Sequence, residues 1–144
     1  MDEVTQDLVE VTMLEYNIEC PLYRDAMILG KWEVGKNLPV HTDNQDLPGQ
    51  EDISTPWREY TGLVYLNDSY EGGKLTLPEV GLNIQPTKGM AIIIEASEPH
   101  GVTRIEAGTR YTAVTWMTRK EEYGEGFRAS INECYRRLDE SINN

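Results

Sequence analysis

The sequence predicts a mainly β domain, a jelly roll (double-stranded β-helix) of eight antiparallel strands with a helix at either end, and three observations predict it. Between about residues 26 and 118 the chain runs in short apolar or alternating stretches punctuated by Gly, Pro, Asn and Asp, the pattern of a sandwich or barrel. The two ends instead repeat their apolar residues at helical spacing. The chain has 144 residues, room for a single domain (1–144) that buries roughly 68–70% of its unfolded surface.

The strands are expected near Ala26 to Glu33, Leu38 to Asp43, Glu59 to Asn67, Gly73 to Pro78, Leu82 to Pro86, Met90 to Glu95, Gly101 to Glu106 and Thr109 to Thr118. Eight such strands joined as Greek keys make two facing sheets whose mouth can hold a metal and a small ligand. Ahead of them Leu8, Val11, Leu14 and Ile18 recur at helical spacing. Val9, Val11 and Met13 also alternate as in a strand, and the helix is the favoured reading. Behind them Phe127, Ile131, Tyr135 and Leu138 mark one face of a helix from about 126 to 141, with Arg136 and Arg137 suited to its C-terminal dipole. That helix is expected to pack outside one sheet. The longest break, Asn44 to Trp57, reads either as a lid over the mouth or as an inert loop.

Twenty-five acidic against thirteen basic side chains leave a formal charge of -12, which opposes phosphate backbones and so argues against nucleic acid. A basic protein segment or a neutral small molecule is the easier partner. No stretch approaches the ~20 apolar residues that cross a membrane, and the N-terminus lacks the layout of a signal peptide. The expected location is therefore cytoplasmic, with no membrane partner. Cys20 and Cys134 fit two reduced structural thiols better than a disulfide framework or a zinc site.

Only two histidines occur. His41 opens a His-x-Asp triplet with Asp43, and residues i and i+2 of a strand project to one side, so the two can address one point in space. His100 is expected to arrive from another strand. Two imidazoles and a carboxylate on one face of a six-coordinate ion leave the opposite positions open, the arrangement of non-haem Fe(II) oxygenases. Arg110 makes this more specific: a 2-oxo acid chelating iron at one end needs a partner for a distal carboxylate, and a guanidinium offers a bidentate fork. Alternation sends Arg110, Thr112, Val114 and Trp116 to one face and Tyr111, Ala113, Thr115 and Met117 to the other. A guanidinium turned inward calls for an anion. Taken singly, each feature has a plainer reading: a chance His-x-Asp, an exposed or ion-paired Arg110, and core packing for Trp32, Tyr65 and Trp116.

Four stretches carry a family resemblance: Gly30-Lys-Trp-Glu-Val-Gly-Lys-Asn-Leu-Pro-Val-His-Thr-Asp43, Thr61-Gly-Leu-Val-Tyr-Leu-Asn-Asp-Ser-Tyr-Glu-Gly-Gly-Lys-Leu75, Pro86-Thr-Lys-Gly-Met-Ala-Ile-Ile-Ile94, and His100-Gly-Val with Gly108-Thr-Arg-Tyr111, closing at Trp116. From residue 30 to 118 the chain resembles the prolyl 4-hydroxylase-like Fe(II)/2-oxoglutarate-dependent dioxygenases. The resemblance implies iron on His41, Asp43 and His100, and the 2-oxoglutarate C5 carboxylate on Arg110 with help from the Tyr65 hydroxyl. Leu75 matches an apolar wall of the co-substrate pocket. Trp32 falls near a position where members carry a tyrosine facing the cofactor, and Val114 stands where some have a threonine. The implied activity is hydroxylation of a prolyl residue in a peptide or protein, with dioxygen as second co-substrate, succinate and CO2 as co-products, and ascorbate as a reductant. The alternatives are the same chemistry on a free amino acid or other small molecule, and a non-catalytic jelly-roll binding module.

Overall fold

The structure is a computed structural model describing residues 2–45, 47, 55–126, 129, 132 and 136. It opens with α1 (Asp2–Glu15), followed by β1 (Tyr23–Trp32), β2 (Leu38–His41), β3 (Tyr60–Tyr65), β4 (Tyr70–Gly72), β5 (Leu75–Leu77), β6 (Leu82–Ile84), β7 (Ala91–Glu95), β8 (His100–Val102), β9 (Ile105–Gly108) and β10 (Arg110–Thr118). A 3-10 turn, Glu121–Tyr123, comes next. The strands form two four-stranded sheets, ordered β1-β10-β3-β7 and β2-β8-β5-β6, and a β4-β9 pair. Every pairing is antiparallel. The mainly β jelly roll is the architecture observed.

In the larger sheet the register stacks inward-facing residues across strands. Ile28 pairs with Val114, Gly30 with Thr112 and Trp32 with Arg110. On the other side of β10, Thr112 pairs with Tyr65, Val114 with Leu63 and Trp116 with Thr61. Partners directly opposite share a face, so one register turns Trp32, Arg110, Thr112, Val114, Trp116, Thr61 and Tyr65 toward the smaller sheet. There, His41 pairs with His100, and Leu75 with both Val102 and Ile84.

The opposite face of the larger sheet is covered by α1. Val9 joins Leu22, Tyr60 and Met117 in a buried cluster, with Met13, Tyr16 and Ile18 packed against it. Leu8 reaches over Gly62, close to Met117 and Thr115. The helix is as expected, but its buried stripe is Thr5, Leu8, Val9 and Thr12, while Val11 and Leu14 are 50% and 80% exposed. The reason is chemical: the Thr12 hydroxyl donates to the Leu8 carbonyl and the Thr5 hydroxyl accepts from Arg24. Satisfied in this way, threonines occupy a buried face that hydrophobicity alone gives to Val11 and Leu14.

Two further expectations change. The strand count is ten rather than eight, because β4 is added and the run predicted from Gly101 to Glu106 divides between sheets, β8 pairing with β2 and β5, and β9 with β4. The break is enforced by hydrogen bonds that tie Thr103 to Lys74 and Gly73 to Arg104. Asp43 lies beyond the end of β2 rather than within it. Of the helix expected over 126–141 only residues 126, 129, 132 and 136 are described, and they are helical; most of the Asn44 to Trp57 segment lies outside the described residues, as does Cys134. Cys20 is exposed. Among the described residues no helix is long and apolar enough to cross a membrane.

Candidate metal centre

His41 and His100 face one another across the β2–β8 pairing, their ring centroids 4.4 Å apart. Each is oriented from behind by a backbone carbonyl two residues upstream: Nδ1 of His41 is 2.9 Å from the Pro39 oxygen, and Nδ1 of His100 is 2.8 Å from the Glu98 oxygen. An Nδ1–H donated to a carbonyl leaves the Nε2 lone pair free, and both Nε2 atoms turn to the interior. Asp43 meets them from the loop after β2, where its amide donates to the Ala96 carbonyl at 2.8 Å. Its Oδ1 lies 3.3 Å from Nε2 of His41, and its Oδ2 3.6 Å from Nε2 of His100. All three donor atoms fall within 4.8 Å of one another.

The two Asp43 oxygens have different surroundings. Oδ2 accepts from the Thr61 hydroxyl at 2.6 Å and from the Trp116 indole N–H at 3.0 Å. Oδ1 faces His41. Burial alone would raise this carboxyl, but the His41 hydrogen bond, the His100 charge and the Thr61 and Trp116 donors hold its pKa at about 2. The His41 pKa is raised, chiefly by its hydrogen bond to Asp43, whereas burial lowers that of His100. The other face of Trp116 is covered by Arg58, whose guanidinium carbon sits 3.9 Å from the ring centre and whose Nε donates to Asp25 at 2.7 Å.

A second cluster sits around Arg110, which is only 1% exposed. Its guanidinium carbon lies 5.4 Å from the centre of the Trp32 ring and 5.1 Å from that of Tyr65. Gly30 makes room for this arrangement, since a Cβ there would come within 2.8 Å of both Trp32 Nε1 and the Thr112 hydroxyl. Nε and Nη2 of Arg110, the Tyr65 hydroxyl and the Tyr70 hydroxyl are all buried without a hydrogen-bond partner among the described residues. Burial raises both phenols, and the Arg110 charge pulls each the other way. The phenols are therefore near enough to feel that charge.

One cavity of about 100 Å³ connects the two clusters, lined by His41, Asp43, His100, Arg110 and the apolar walls Leu75 and Val114, among others. Of the site residues named from sequence, Trp32 also lines it. Tyr65 faces the same interior by register but reaches Arg110 rather than the lining. Sequence reasoning missed Thr61 and Tyr70, and it read Trp116 as packing where the indole also donates to Asp43. For Thr61 and Trp116 the signal was available: Trp116 shares the predicted inward face of Arg110, and Thr61 stands four residues, an even spacing, before Tyr65. Two larger cavities border α1, and neither is lined by His41, Asp43 or His100.

A jelly roll that gathers two imidazoles and a carboxylate at one end of its cavity and a buried guanidinium at the other has the architecture of the mononuclear-iron, 2-oxo-acid oxygenases. The sequence profile of the 2OG-Fe(II) oxygenase superfamily matches residues 27–118, and the chain belongs to that family. It is 30% identical to prolyl 3-hydroxylase 3 of Homo sapiens over 147 aligned positions, which cover 85% of this chain and 20% of that protein. The chain thus spans about a fifth of the length of that relative. Among solved structures, the 2-oxoglutarate complex of the viral collagen prolyl hydroxylase from Paramecium Bursaria Chlorella virus-1 superposes with a TM-score of 0.68 at 18% identity, covering 81% of this chain and 71% of that one. A Pseudomonas putida prolyl-4-hydroxylase gives 0.59 at 17% identity over 80% and 62%. At these identities the structural likeness speaks for the fold.

Proposed function

We propose that this chain, acting as one domain over residues 1–144, is an Fe(II)- and 2-oxoglutarate-dependent dioxygenase that hydroxylates a prolyl residue in a peptide or protein. In this reading Nε2 of His41, Nε2 of His100 and Oδ1 of Asp43 hold the iron, and Arg110, assisted by Tyr65, holds the distal carboxylate of 2-oxoglutarate. Leu75, Trp32 and Val114 wall the space between. The donor set fits: metal–ligand distances of about 2.0–2.2 Å separate ligands at right angles by roughly 3 Å, close to the 3.3 Å between Nε2 of His41 and Oδ1 of Asp43, and the donor atoms of all three residues lie within 4.8 Å of one another. When bound, iron with 2-oxoglutarate and dioxygen would supply oxidation of an unactivated C–H bond, releasing succinate and CO2.

The observation that carries this reading is Arg110. A buried guanidinium with two nitrogens unpartnered among the described residues is costly without an anion, and the cavity it lines runs to the His/Asp/His cluster. The chain's own residues do the positioning. Thr61 and Trp116 occupy Oδ2 of Asp43, which favours a ligand bound through one oxygen and leaves more of the metal's face open. Arg110 fixes the tail of the co-substrate, so that its other end is presented to the metal in one orientation.

Cavity size supports a polymeric substrate. About 100 Å³ is well below the ~300–1,000 Å³ of pockets that enclose a drug-sized ligand, so a target carbon must be offered from the mouth, as a side chain on an extended backbone can be. The names of the relatives point to proline, and a charge of -12 suits a basic segment rather than nucleic acid. Anaerobic reconstitution with Fe(II) and 2-oxoglutarate is expected to give a metal-to-ligand charge-transfer band. Admitting oxygen with a proline-rich peptide is expected to give succinate and a one-oxygen gain on proline, which fragmentation assigns to C3 or C4. Absence of both band and succinate would sink the enzyme reading, and succinate without peptide oxidation would sink the prolyl substrate.

A further inference from the structure

We propose that Tyr70 is a co-substrate-binding residue whose hydroxyl donates to the same distal carboxylate that Arg110 holds, making the tail-binding site selective for dicarboxylic 2-oxo acids. The inference rests on the reading above and deepens it.

It starts from how the chain delivers Tyr70. The short β4 pairs with β9, placing Tyr70 opposite Gly108. Gly72 and Gly73 then turn the chain through φ values of +72° and +62°, a region that side chains other than glycine's enter at a cost. At Gly73 a Cβ would lie 3.0 Å from Cδ of Arg110 and 3.1 Å from Cε2 of Tyr70. The phenol ring and the arginine stem therefore pass the same point, and the missing side chain is what lets them lie together.

The second step counts hydrogen-bonding capacity. Nε and Nη2 of Arg110 supply three N–H donors and no acceptor. Tyr65 and Tyr70 are 0% and 8% exposed, and their hydroxyls have no acceptor among the described residues. Even if each phenol oxygen accepted one guanidinium N–H, a third N–H and two O–H groups would still need acceptors. Burying so many donors without one is rare in folded proteins. A carboxylate, with about four lone-pair sites on two oxygens, is the acceptor of matching capacity. An apolar tail would leave the remaining donors unsatisfied, and sites built to bond a polar group reject analogues that lack it.

The test compares wild type and Tyr70→Phe loaded with redox-inert Mn(II), titrated calorimetrically with 2-oxoglutarate and with 2-oxopentanoate, which has the same chelating end and a methyl in place of the distal carboxylate. The phenyl ring keeps the packing against Gly73. The expected result is that Tyr70→Phe weakens 2-oxoglutarate about tenfold, the scale of a hydrogen bond to a charged group, and leaves 2-oxopentanoate within twofold. Unchanged affinity for 2-oxoglutarate overturns the inference, and so does an equal loss for both acids, which would mark a packing role. If wild type binds neither acid more tightly in the presence of metal, the proposed function itself fails, a result separable from failure of Tyr70 alone.

Discussion

Arg110 is the residue on which stability and function pull in opposite directions. A guanidinium 1% exposed, with two nitrogens unbonded among the described residues, costs the metal-free protein free energy that an apolar side chain of similar length would not. Arg110→Met is therefore expected to raise the Tm of metal-free protein by several degrees, at about 2–4 °C per kcal/mol for a chain of this size, while abolishing measurable 2-oxoglutarate binding. Scanning calorimetry beside a binding titration checks both halves, and a lower Tm would show that some other group compensates the charge. At this scale the sequence was legible where chemistry is rare: two histidines leave little choice of metal-binding side chains. Tyr70 was not legible among eight tyrosines, because its meaning comes from β4 and the Gly72–Gly73 turn, not from its own neighbours.

At the scale of elements, alternation held best in β10, whose Arg110, Thr112, Val114 and Trp116 all reach the cavity. A long strand in mid-sheet carries its pattern on both faces and tolerates no slip. The pattern missed β4, three residues long, and did not show that one apolar run divides into β8 and β9, which pair in different sheets. It also failed to mark which face of α1 is buried. That difference can be measured: Leu8→Ala, on the face packed over Gly62, is expected to lose about 2–5 kcal/mol, whereas Leu14→Ala, 80% exposed, stays within about 0.5 kcal/mol. Urea denaturation of the two variants distinguishes them, and a reversed order would mean that Leu14 is covered in solution.

Over the whole molecule the two sheets have divided duties. The larger one contributes Arg110, Tyr65 and the two donors that hold Asp43, and it is braced from outside by α1. The smaller one contributes both imidazoles, and the loop between the sheets supplies the carboxylate. The site therefore exists only when the sheets are correctly packed against one another, which is why single-strand reasoning could name its members but not their mutual distances. Asp43 shows this most plainly: expected inside a strand, it stands beyond one, held by the Ala96 carbonyl, Thr61 and Trp116 from three separate segments.

The unsatisfied donors around Arg110 have one more consequence, for the lifetime of the protein. A ligand that binds only the folded chain stabilises it by RT ln(1 + [L]/Kd), and here the ligand also relieves a buried charge. Resistance to proteolysis should then follow the supply of the dicarboxylic acid: with Mn(II) present, raising 2-oxoglutarate from zero to about 100 times its Kd slows cleavage by roughly a hundredfold where digestion proceeds through the unfolded state. Arg110→Met should digest at a rate indifferent to the acid. The chain would thus persist longest where its own reagent is plentiful and be cleared soonest where it is scarce.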